Sequence, residues 1–321
     1  MTDFRVLVTG ASLAPAAQRL LTAAGGTVVL MPSGTAGPAI GAALAEAPTQ
    51  AILLRGNPPI GSALMDLAPD LKVIAKHGVG VDSVDLAAAA ARNIRVMIAG
   101  DASAPAVAEH AIALILTLGR DIAFLAERTR AGSWDRDGYQ GREIAGRVLG
   151  IVGFGRIGQR VAAMAASLGM EVIALPRRPG TVAPALAREA SDLTDLLGRS
   201  DIVSLHVPLS PATTGMIDAA ALASMRPGAL LVNTARGALV DEAAMLAALQ
   251  SGHIAGAALD TLAVEPAPTG CPLLGSPRVI VTPHIASATG ASLIRMGVVA
   301  ARNIVAVLTG QPIDPGNLVE P

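Results

Sequence analysis

Aromatic side chains, cysteines and clustered charges are all scarce in this sequence. Phe, Trp and Tyr make up 2% of the residues, which argues against the aromatic surfaces on which nucleic-acid bases stack. The formal net charge is −1 and no basic patch is visible, so the electrostatic signature of nucleic-acid binding is missing as well. The single cysteine, Cys271, excludes a disulfide within the chain and fits a reducing compartment.

Neither a secretion signal nor a membrane span is evident. The N-terminal segment MTDFRVLVTG has no basic region followed by an apolar stretch and a cleavage site, so we expect no signal peptide. The most apolar helical stretch, Ala104–Leu118, carries Glu109 and His110 and is too short to cross a bilayer. We therefore expect a soluble cytoplasmic protein with a small-molecule partner, and neither a membrane nor a nucleic acid.

Short β-branched runs alternate with alanine-rich helical runs in two successive series, which predicts an α/β fold with parallel sheets covered by helices. The 321 residues suffice for two such domains, whose cores need neither disulfides nor a structural metal ion. The later series matches a doubly wound nucleotide-binding sheet. The predicted strands are Arg5–Thr9, Thr27–Met31, Ala51–Leu54 and Leu71–Ala75, then Arg147–Gly153, Glu171–Leu175, Asp201–His206, Ala229–Asn233, Ile254–Leu259 and Val279–Thr282.

Two longer helices are predicted in addition to those between the strands. One spans roughly Ala104–Arg130, between the two series. The other spans about Ala291–Thr309, after the last strand of the second series. We expect this C-terminal helix to return to the first domain, which would then be discontinuous in sequence.

The segment GFGRIG, from Gly153 to Gly158, is a G-x-G-x-x-G pattern that follows a predicted strand and opens a predicted helix. That context favours dinucleotide binding. Gly153 permits a tight turn, Gly155 lets the backbone approach a pyrophosphate, and Gly158 lets the helix pack closely on the sheet. The start of the helix, with Arg156 and Ile157, supplies N–H donors and positive potential to phosphates.

The strand after this motif ends without the acidic residue that usually binds the adenosine ribose of NAD. It runs into Arg177 and Arg178, and Glu171 lies at its opposite end. A carboxylate repels a ribose 2′-phosphate, whereas guanidinium groups bind it. The two arginines therefore favour NADP(H), and NAD(H) stays open because both also fit a solvated loop.

Three polar residues follow strands of the second series. Arg236 follows LLVN, Glu265 follows AGAALD, and His284 follows VIVT. Ligands of open α/β sheets bind at the carboxyl ends of the strands. Each residue alone would be unremarkable, but in this order and beside the glycine motif they indicate one catalytic site.

These segments resemble the D-isomer-specific 2-hydroxyacid dehydrogenase family. The resemblance covers nearly the whole chain through VLGIVGFGRIG, HVPLSPATTGMI, NTARGALVDEAAM, AGAALDTLAVEP and VTPHIASAT, and through LKVIAKHGVGVDSVDLAAAAARNIRV and VAEHAIALILTLGR before them. It implies a discontinuous, flavodoxin-like substrate-binding domain of residues 1–100 and 286–321. It also implies a Rossmann-type dinucleotide-binding domain of residues 101–285, an active site in the cleft between the two, and a homodimer.

The family mechanism transfers onto matching residues. His284 is the implied proton donor to the alkoxide that forms when a hydride reaches C2 of a 2-oxo acid, since an imidazole exchanges protons near neutral pH. Glu265 would pair with His284 and orient its ring. Arg236 would bind the substrate carboxylate and stabilise charge on the carbonyl oxygen.

The resemblance implies further contacts. The backbone N–H groups of Val79 and Gly80, in the segment HGVGVD, would also hold the substrate carboxylate. Asp260 matches an aspartate near the nicotinamide carboxamide, and Pro208 and Thr234 match other cofactor contacts.

Arg55 lies at the end of a first-series strand and is a candidate substrate residue. Phosphoglycerate dehydrogenases carry an arginine at a similar place with another basic residue nearby, but here the nearby residue is Asn57. We also expect no C-terminal regulatory domain, because the sequence ends soon after its last predicted helix. We therefore expect a glyoxylate or hydroxypyruvate reductase, with a phosphoglycerate dehydrogenase-like enzyme as the alternative.

Two other functions share this fold. Formate dehydrogenases have glutamine where Glu265 stands, and formate oxidation needs no proton donor to an alkoxide, so the Glu–His pair disfavours them. Dinucleotide-sensing corepressors can keep all three catalytic residues, but carry interaction tails, which we do not expect in this protein. Fold alone does not separate these functions.

Overall fold

The computed structural model describes residues 3–320. The chain divides into two compact units, one formed by the residues up to Ser103 together with those from Ser287 onward, the other by Ala104–Ala286. Each unit contains one sheet with helices on both faces. The predicted α/β class with two doubly wound parallel sheets is confirmed.

The first unit contains a sheet in the order β13-β5-β4-β3-β1-β2, in which every pairing is parallel except that of β13 with β5. The order 2-1-3-4-5 of its parallel strands is the flavodoxin-like arrangement. The strands are β1 (Phe4–Val8), β2 (Gly26–Leu30), β3 (Ala51–Leu54), β4 (Val73–Lys76), β5 (Arg95–Met97) and β13 (Leu318–Val319). The helices are α1 (Pro15–Ala23), α2 (Gly37–Glu46), α3 (Ser62–Asp66), α4 (Leu86–Ala91) and α11 (Gly290–Thr309).

Alternation along the strands of this sheet divides its core into two layers. Val6 and Val8 face one side with Leu21 of α1 and Ile304 of α11, whereas Leu7 faces the layer formed by α2, α3 and α4. Because both faces are covered, the strands are almost wholly apolar, as parallel sheets require.

Helix α11 is long and apolar enough to cross a membrane by length and composition alone. It packs against α1 and β4 in the first unit, and Ala300, Ala301 and Ile304 are fully buried there. These contacts are those of a core helix.

The second unit contains a fully parallel sheet in the order β12-β11-β10-β9-β6-β7-β8. Its strand order reverses at β6, between β7 and β9, which is the switch point of a doubly wound dinucleotide-binding sheet. The strands are β6 (Val148–Val152), β7 (Glu171–Leu175), β8 (Arg188–Glu189), β9 (Ile202–Leu205), β10 (Ala229–Asn233), β11 (Ile254–Leu259) and β12 (Val279–Val281). The helices are α5 (Ala104–Gly119), α6 (Ile122–Arg130), α7 (Arg156–Ser167), α8 (Leu193–Arg199), α9 (Ala219–Ser224) and α10 (Glu242–Gln250).

The prediction of one helix over Ala104–Arg130 is wrong. Helix α5 ends at Gly119, and α6 begins at Ile122. Asp121, between them, has a positive φ of 50°. A left-handed residue cannot continue a right-handed helix, and aspartate tolerates that conformation better than most residues. The apolar periodicity of α5 does not extend into α6, which buries no residue.

Candidate active site

The glycine motif forms the turn from β6 into α7. Gly153 has a φ of 96°, and a Cβ there would lie 2.6 Å from the carbonyl oxygen of His206, which follows β9. A Cβ on Gly158, in the first turn of α7, would lie 2.2 Å from the carbonyl oxygen of Gly153. No side chain fits at either position, so the two glycines let the helix and both strands meet at the switch point.

Gly155 caps α7, which begins with Arg156 and Ile157, and differs from the other two glycines. A Cβ there would meet no atom within 4 Å, so the space in front of the helix N-terminus is open. Backbone N–H groups at a helix N-terminus bind pyrophosphate. This turn therefore has the shape and the donors that a dinucleotide needs.

The next two strands of the sheet after β6 are β9 and then β10, and the loops that follow them carry the predicted contacts Pro208 and Thr234. Pro208 is held by a 2.8 Å hydrogen bond from the Thr213 hydroxyl to its carbonyl oxygen. Among the described residues, the buried Thr234 Oγ1 has no hydrogen-bond partner. An unpaired buried hydroxyl costs free energy unless a ligand satisfies it, so Thr234 also fits a cofactor contact.

The loop after β7 presents Arg177 and Arg178, and both are exposed. Glu171, at the other end of β7, forms a 2.9 Å ion pair with Arg188 and does not face this loop. The Glu189 carboxylate accepts hydrogen bonds from the backbone N–H groups of Gly180 (2.8 Å) and Val182 (3.3 Å), which fixes the loop. The strand β7 itself thus ends in two cations, and the nearby acid, Glu189 opposite Ala174, is engaged with the backbone of the loop.

Glu265 and His284 form a direct pair. His284 Nδ1 lies 2.8 Å from Glu265 Oε2, while Glu265 Oε1 accepts a 3.1 Å hydrogen bond from the backbone N–H of Leu262. Both side chains are about one-third exposed, His284 at 35% and Glu265 at 36%. Because Nδ1 is committed to the carboxylate, Nε2 is the ring nitrogen left for a substrate.

Arg236 is half-buried on the loop after β10. Asn233 shapes this loop, because its side chain donates to the carbonyl oxygen of Arg236 and accepts from the N–H of Ala235, at 2.8 and 3.0 Å. The next residue, Gly237, packs so closely on the Leu262–Ala263 backbone that a Cβ would lie 1.9 Å from the Leu262 carbonyl carbon. The loop of Arg236 therefore touches the loop that carries Glu265.

Asp260 is 1% exposed at the end of β11. Its carboxylate accepts hydrogen bonds from the Thr282 hydroxyl (2.5 Å) and from the backbone N–H groups of Ile285 (2.9 Å) and Ala286 (2.8 Å). These bonds hold the segment that contains His284. Sequence patterns indicated only a cofactor contact for Asp260 and missed this role, because nothing in the sequence shows that the two loops meet.

In the first unit, the backbone N–H groups of Val79 and Gly80 find no hydrogen-bond partner among residues 3–320. Val79 is 37% exposed, and Gly78 before it has a φ of 148°, a conformation that favours glycine. Two adjacent N–H groups without an acceptor in the protein can donate to an anion. The geometry is therefore compatible with the predicted role of Val79 and Gly80.

Arg55 follows β3, and its guanidinium contacts the Ser12 carbonyl oxygen and lies 2.9 Å from the Ser12 hydroxyl. Sequence patterns assigned no role to Lys76, a basic residue that contacts Asn57. Lys76, at the end of β4, is 5% exposed and donates to Asn57 Oδ1 at 2.7 Å and to the carbonyl oxygen of Gly56. The sequence does mark Lys76 as a candidate, because it is a charged residue at the end of an otherwise apolar strand.

Two partly buried histidines are held in the neutral state. Burial, reinforced by the positive charge of Arg55, lowers the pKa of His77 to about 4, and its Nε2 lies 3.1 Å from the Leu293 carbonyl oxygen. Burial lowers the pKa of His206 to about 4, and its Nε2 lies 2.9 Å from Ser204 Oγ. Within residues 3–320, neither histidine pairs with a carboxylate, which distinguishes both from His284.

Comparison with known proteins identifies the second unit. The family model described as "D-isomer specific 2-hydroxyacid dehydrogenase, NAD binding domain" matches residues 112–286. That range contains the glycine motif, Arg236, Glu265 and His284. The second unit is therefore a nicotinamide-dinucleotide-binding domain.

Relatives extend the match to most of the chain. A D-3-phosphoglycerate dehydrogenase of Mycobacterium leprae is 42% identical over 84% of this chain and 51% of its own length, so the chain spans about half of that relative. A hydroxypyruvate reductase of Thermotoga maritima is 38% identical over 77% of this chain and 81% of its own. The crystal structure of a glyoxylate reductase from Paecilomyes thermophila superposes with a TM-score of 0.88, at 30% identity and covering 99% of both chains.

Proposed function

Because the chain belongs to the D-isomer-specific 2-hydroxyacid dehydrogenase family, we propose that it interconverts a small 2-oxo acid and the matching D-2-hydroxy acid. The observation that carries the proposal is the 2.8 Å contact between Glu265 and His284, on the loops that follow β11 and β12 of the sheet that also carries the dinucleotide turn. A carboxylate-oriented imidazole at that place can donate a proton to an oxygen atom, which reduction of a ketone requires.

In the proposed reaction, the reduced nicotinamide supplies a hydride to C2 when it is bound. His284 donates the proton on Nε2 to the former carbonyl oxygen and becomes neutral. Glu265 stabilises the imidazolium before that transfer and keeps the ring oriented through Nδ1. In the oxidative direction, neutral His284 accepts the hydroxyl proton at the same nitrogen.

Arg236 binds the substrate carboxylate, since a guanidinium pairs with a carboxylate through two parallel hydrogen bonds. The close packing of Gly237 on the Leu262–Ala263 backbone, which brings its loop against the Glu265 loop, supports this role. In the first unit, the unpaired N–H groups of Val79 and Gly80 are the donors that we assign to the same carboxylate. That assignment rests on the family resemblance and on the geometry of the turn.

Glyoxylate or hydroxypyruvate is the proposed substrate. A second candidate, a 2-oxo acid whose distal end carries another anionic group such as phosphate, is favoured by one observation. Lys76 and Arg55 lie at the carboxyl ends of adjacent strands, where the Arg55 guanidinium contacts the Ser12 hydroxyl and the Lys76 ammonium contacts the Asn57 amide, both of them neutral groups. Two such cations suit a dianionic group.

NADP(H) is the proposed cofactor. The exposed pair Arg177 and Arg178 supports it, because a 2′-phosphate would meet two cations there. The nearby Glu189 carboxylate accepts hydrogen bonds from the backbone of the same loop. Pro208 and Thr234 are proposed cofactor contacts, of which Thr234 offers the unpaired buried hydroxyl described above. Asp260, for which the resemblance also implies such a contact, has a carboxylate with no exposed surface, so we assign it the positioning of the His284 segment instead.

We also propose a cytoplasmic homodimer. Apolar side chains on α6 and the segment after it support self-association, with Ile122 52%, Phe124 41% and Trp134 80% exposed. Light scattering coupled to size-exclusion chromatography should give twice the mass of the chain. A monomeric mass at micromolar concentration would contradict the dimer.

A panel of 2-oxo acids tests the proposed function, with each acid offered together with NADPH and with NADH. Absorbance of the reduced nicotinamide reports turnover. We expect glyoxylate or hydroxypyruvate to be reduced, with NADPH preferred, whereas preferential turnover of 3-phosphohydroxypyruvate would favour the second candidate. Dinucleotide binding without turnover of any acid would contradict the enzymatic proposal and favour a sensing function.

A further inference from the structure

The residue that would donate the proton has an unfavourable backbone conformation. His284 has a φ of 54°, in the left-handed region that non-glycine residues rarely adopt. Its backbone N–H donates to the carbonyl oxygen of Asp260 at 2.8 Å, and the Asp260 carboxylate holds the next two N–H groups, those of Ile285 and Ala286. Strained backbone of this kind persists only where its surroundings fix it, so the position of His284 depends on Asp260.

A second histidine contacts the same carboxylate from another element. His110 lies on α5, and its Nε2 is 3.1 Å from Thr282 Oγ1 and 3.5 Å from Asp260 Oδ1. The Thr282 hydroxyl has one proton, which it gives to Asp260 Oδ1. Nε2 of His110 must therefore carry the proton in its contact with Thr282.

The Asp260 carboxylate has no solvent-exposed surface, so the protein alone must satisfy it. Thr282 and the two backbone N–H groups supply three donors, and the His110 N–H lies within reach of the same oxygen as Thr282. The chain of contacts thus runs from α5 through Thr282 and Asp260 to the backbone of the His284 loop.

We propose that His110 is a positioning residue for proton transfer by His284. Its Nε2–H fixes Thr282 and Asp260, and these fix the left-handed backbone that aims the His284 ring. We assign His110 no contact with the reacting atoms, and it belongs to the same compact unit as Asp260 and His284. This inference rests on the proposed function.

The test compares His110→Ala and His110→Gln in the full chain, with the best 2-oxo acid from the panel. Loss of the imidazole should lower kcat by about tenfold, the change that one positioning hydrogen bond accounts for, while KM for the oxo acid changes less than about twofold. Glutamine places an N–H donor at the reach of Nε2 and should recover most of kcat. Glu109→Ala, an exposed neighbour on the same helix, is the control and should behave as wild type.

The melting temperature of each variant separates positioning from folding. An unchanged kcat in His110→Ala would overturn the inference, as would a fall in kcat that glutamine does not reverse. A loss of activity that follows the melting temperature in both variants would also overturn it. If the wild-type chain reduces no 2-oxo acid, the proposed function itself fails, which is a different outcome from an active wild type with an unaffected His110→Ala variant.

Discussion

One carboxylate joins the two loops that the proposed chemistry needs. Glu265 Oε2 lies 2.8 Å from His284 Nδ1, and Oε1 of the same side chain accepts the N–H of Leu262 at 3.1 Å. The first contact stabilises the charged imidazole ring, and the second fixes the loop from which the carboxylate extends. The side chain therefore has an electrostatic role and a structural role that can be separated by mutation.

Glu265→Gln is predicted to lower kcat/KM for 2-oxo acid reduction by about 10- to 100-fold. The amide keeps an oxygen acceptor for Leu262 but removes the charge beside the imidazolium, and a charged hydrogen bond is worth about 1.5–3 kcal/mol. Steady-state kinetics measure the effect. Glu171→Gln, which removes an exposed acid of β7, is the matched control, and equal rates for the two variants would contradict the role of the pair.

Gly155 and Gly158 are predicted to respond differently to alanine. A Cβ on Gly155 meets no protein atom within 4 Å, so Gly155→Ala should fold normally but bind the dinucleotide about tenfold or more weakly, because the methyl group enters the space of the pyrophosphate. Gly158→Ala places a Cβ 2.2 Å from a carbonyl oxygen and should lower both the melting temperature and dinucleotide affinity. Calorimetry with NADPH and thermal unfolding separate the two effects, and full affinity in Gly155→Ala would contradict the assignment.

The double variant Arg177→Ala/Arg178→Ala is predicted to raise KM for NADPH by about 10- to 100-fold. One charged hydrogen bond to a phosphate contributes about 1.5–3 kcal/mol, and solvent screening of the two exposed guanidiniums keeps their joint effect near that of one such bond. KM for NADH should change little, because NADH has no 2′-phosphate. Arg19→Ala removes an exposed arginine from the first unit and serves as the control. A wild-type preference for NADH, or equal effects on both cofactors, would refute the assignment of the loop after β7.

His77 should make the protein sensitive to acid. Its pKa is about 4 in the folded chain and 6.5 in the absence of burial, so the unfolded state binds more protons between those values. The stability that His77 contributes is complete above pH 6.5 and is lost as the pH falls toward 4, a change of about 3 kcal/mol. His77→Gln should remove that part of the pH dependence.

Urea unfolding of the wild type and of His77→Gln at several pH values measures this difference. The free energies of unfolding of the two proteins should diverge between pH 4 and 6.5, with the wild type losing more stability on acidification. Parallel curves across the range would show that His77 is not held neutral in the folded protein.

Long buried elements could be predicted from the sequence, and short exposed ones could not. The predicted bounds of β3, β7, β10 and β11 agree with the structure, because each is a continuous apolar run. β8 has two exposed charged residues, Arg188 and Glu189, so it has no hydrophobic signature. The break between α5 and α6 was missed because a single left-handed residue, Asp121, ends the helix without a glycine or proline at that position.

In the site, the catalytic residue types could be predicted from the sequence, whereas contacts between residues distant in the sequence could not. Residue types at strand ends pointed to Arg236, Glu265 and His284, because the carboxyl ends of parallel strands share one edge of a sheet. The contacts of Lys76 with Asn57 and of His110 with Thr282 join residues 19 and 172 positions apart. Such contacts are set by packing, and no local pattern predicts them.

The proton-donor role of His284 is tested most directly by single-turnover reduction of glyoxylate in His284→Ala, alongside calorimetric titration with NADPH. The variant should bind the dinucleotide with wild-type affinity but transfer hydride about 100- to 10,000-fold more slowly, the range that a general acid accounts for. His253→Ala, at the amino end of β11, should match the wild type in both measurements. Turnover in His284→Ala within a few-fold of wild type would show that the proton comes from elsewhere and would contradict this account.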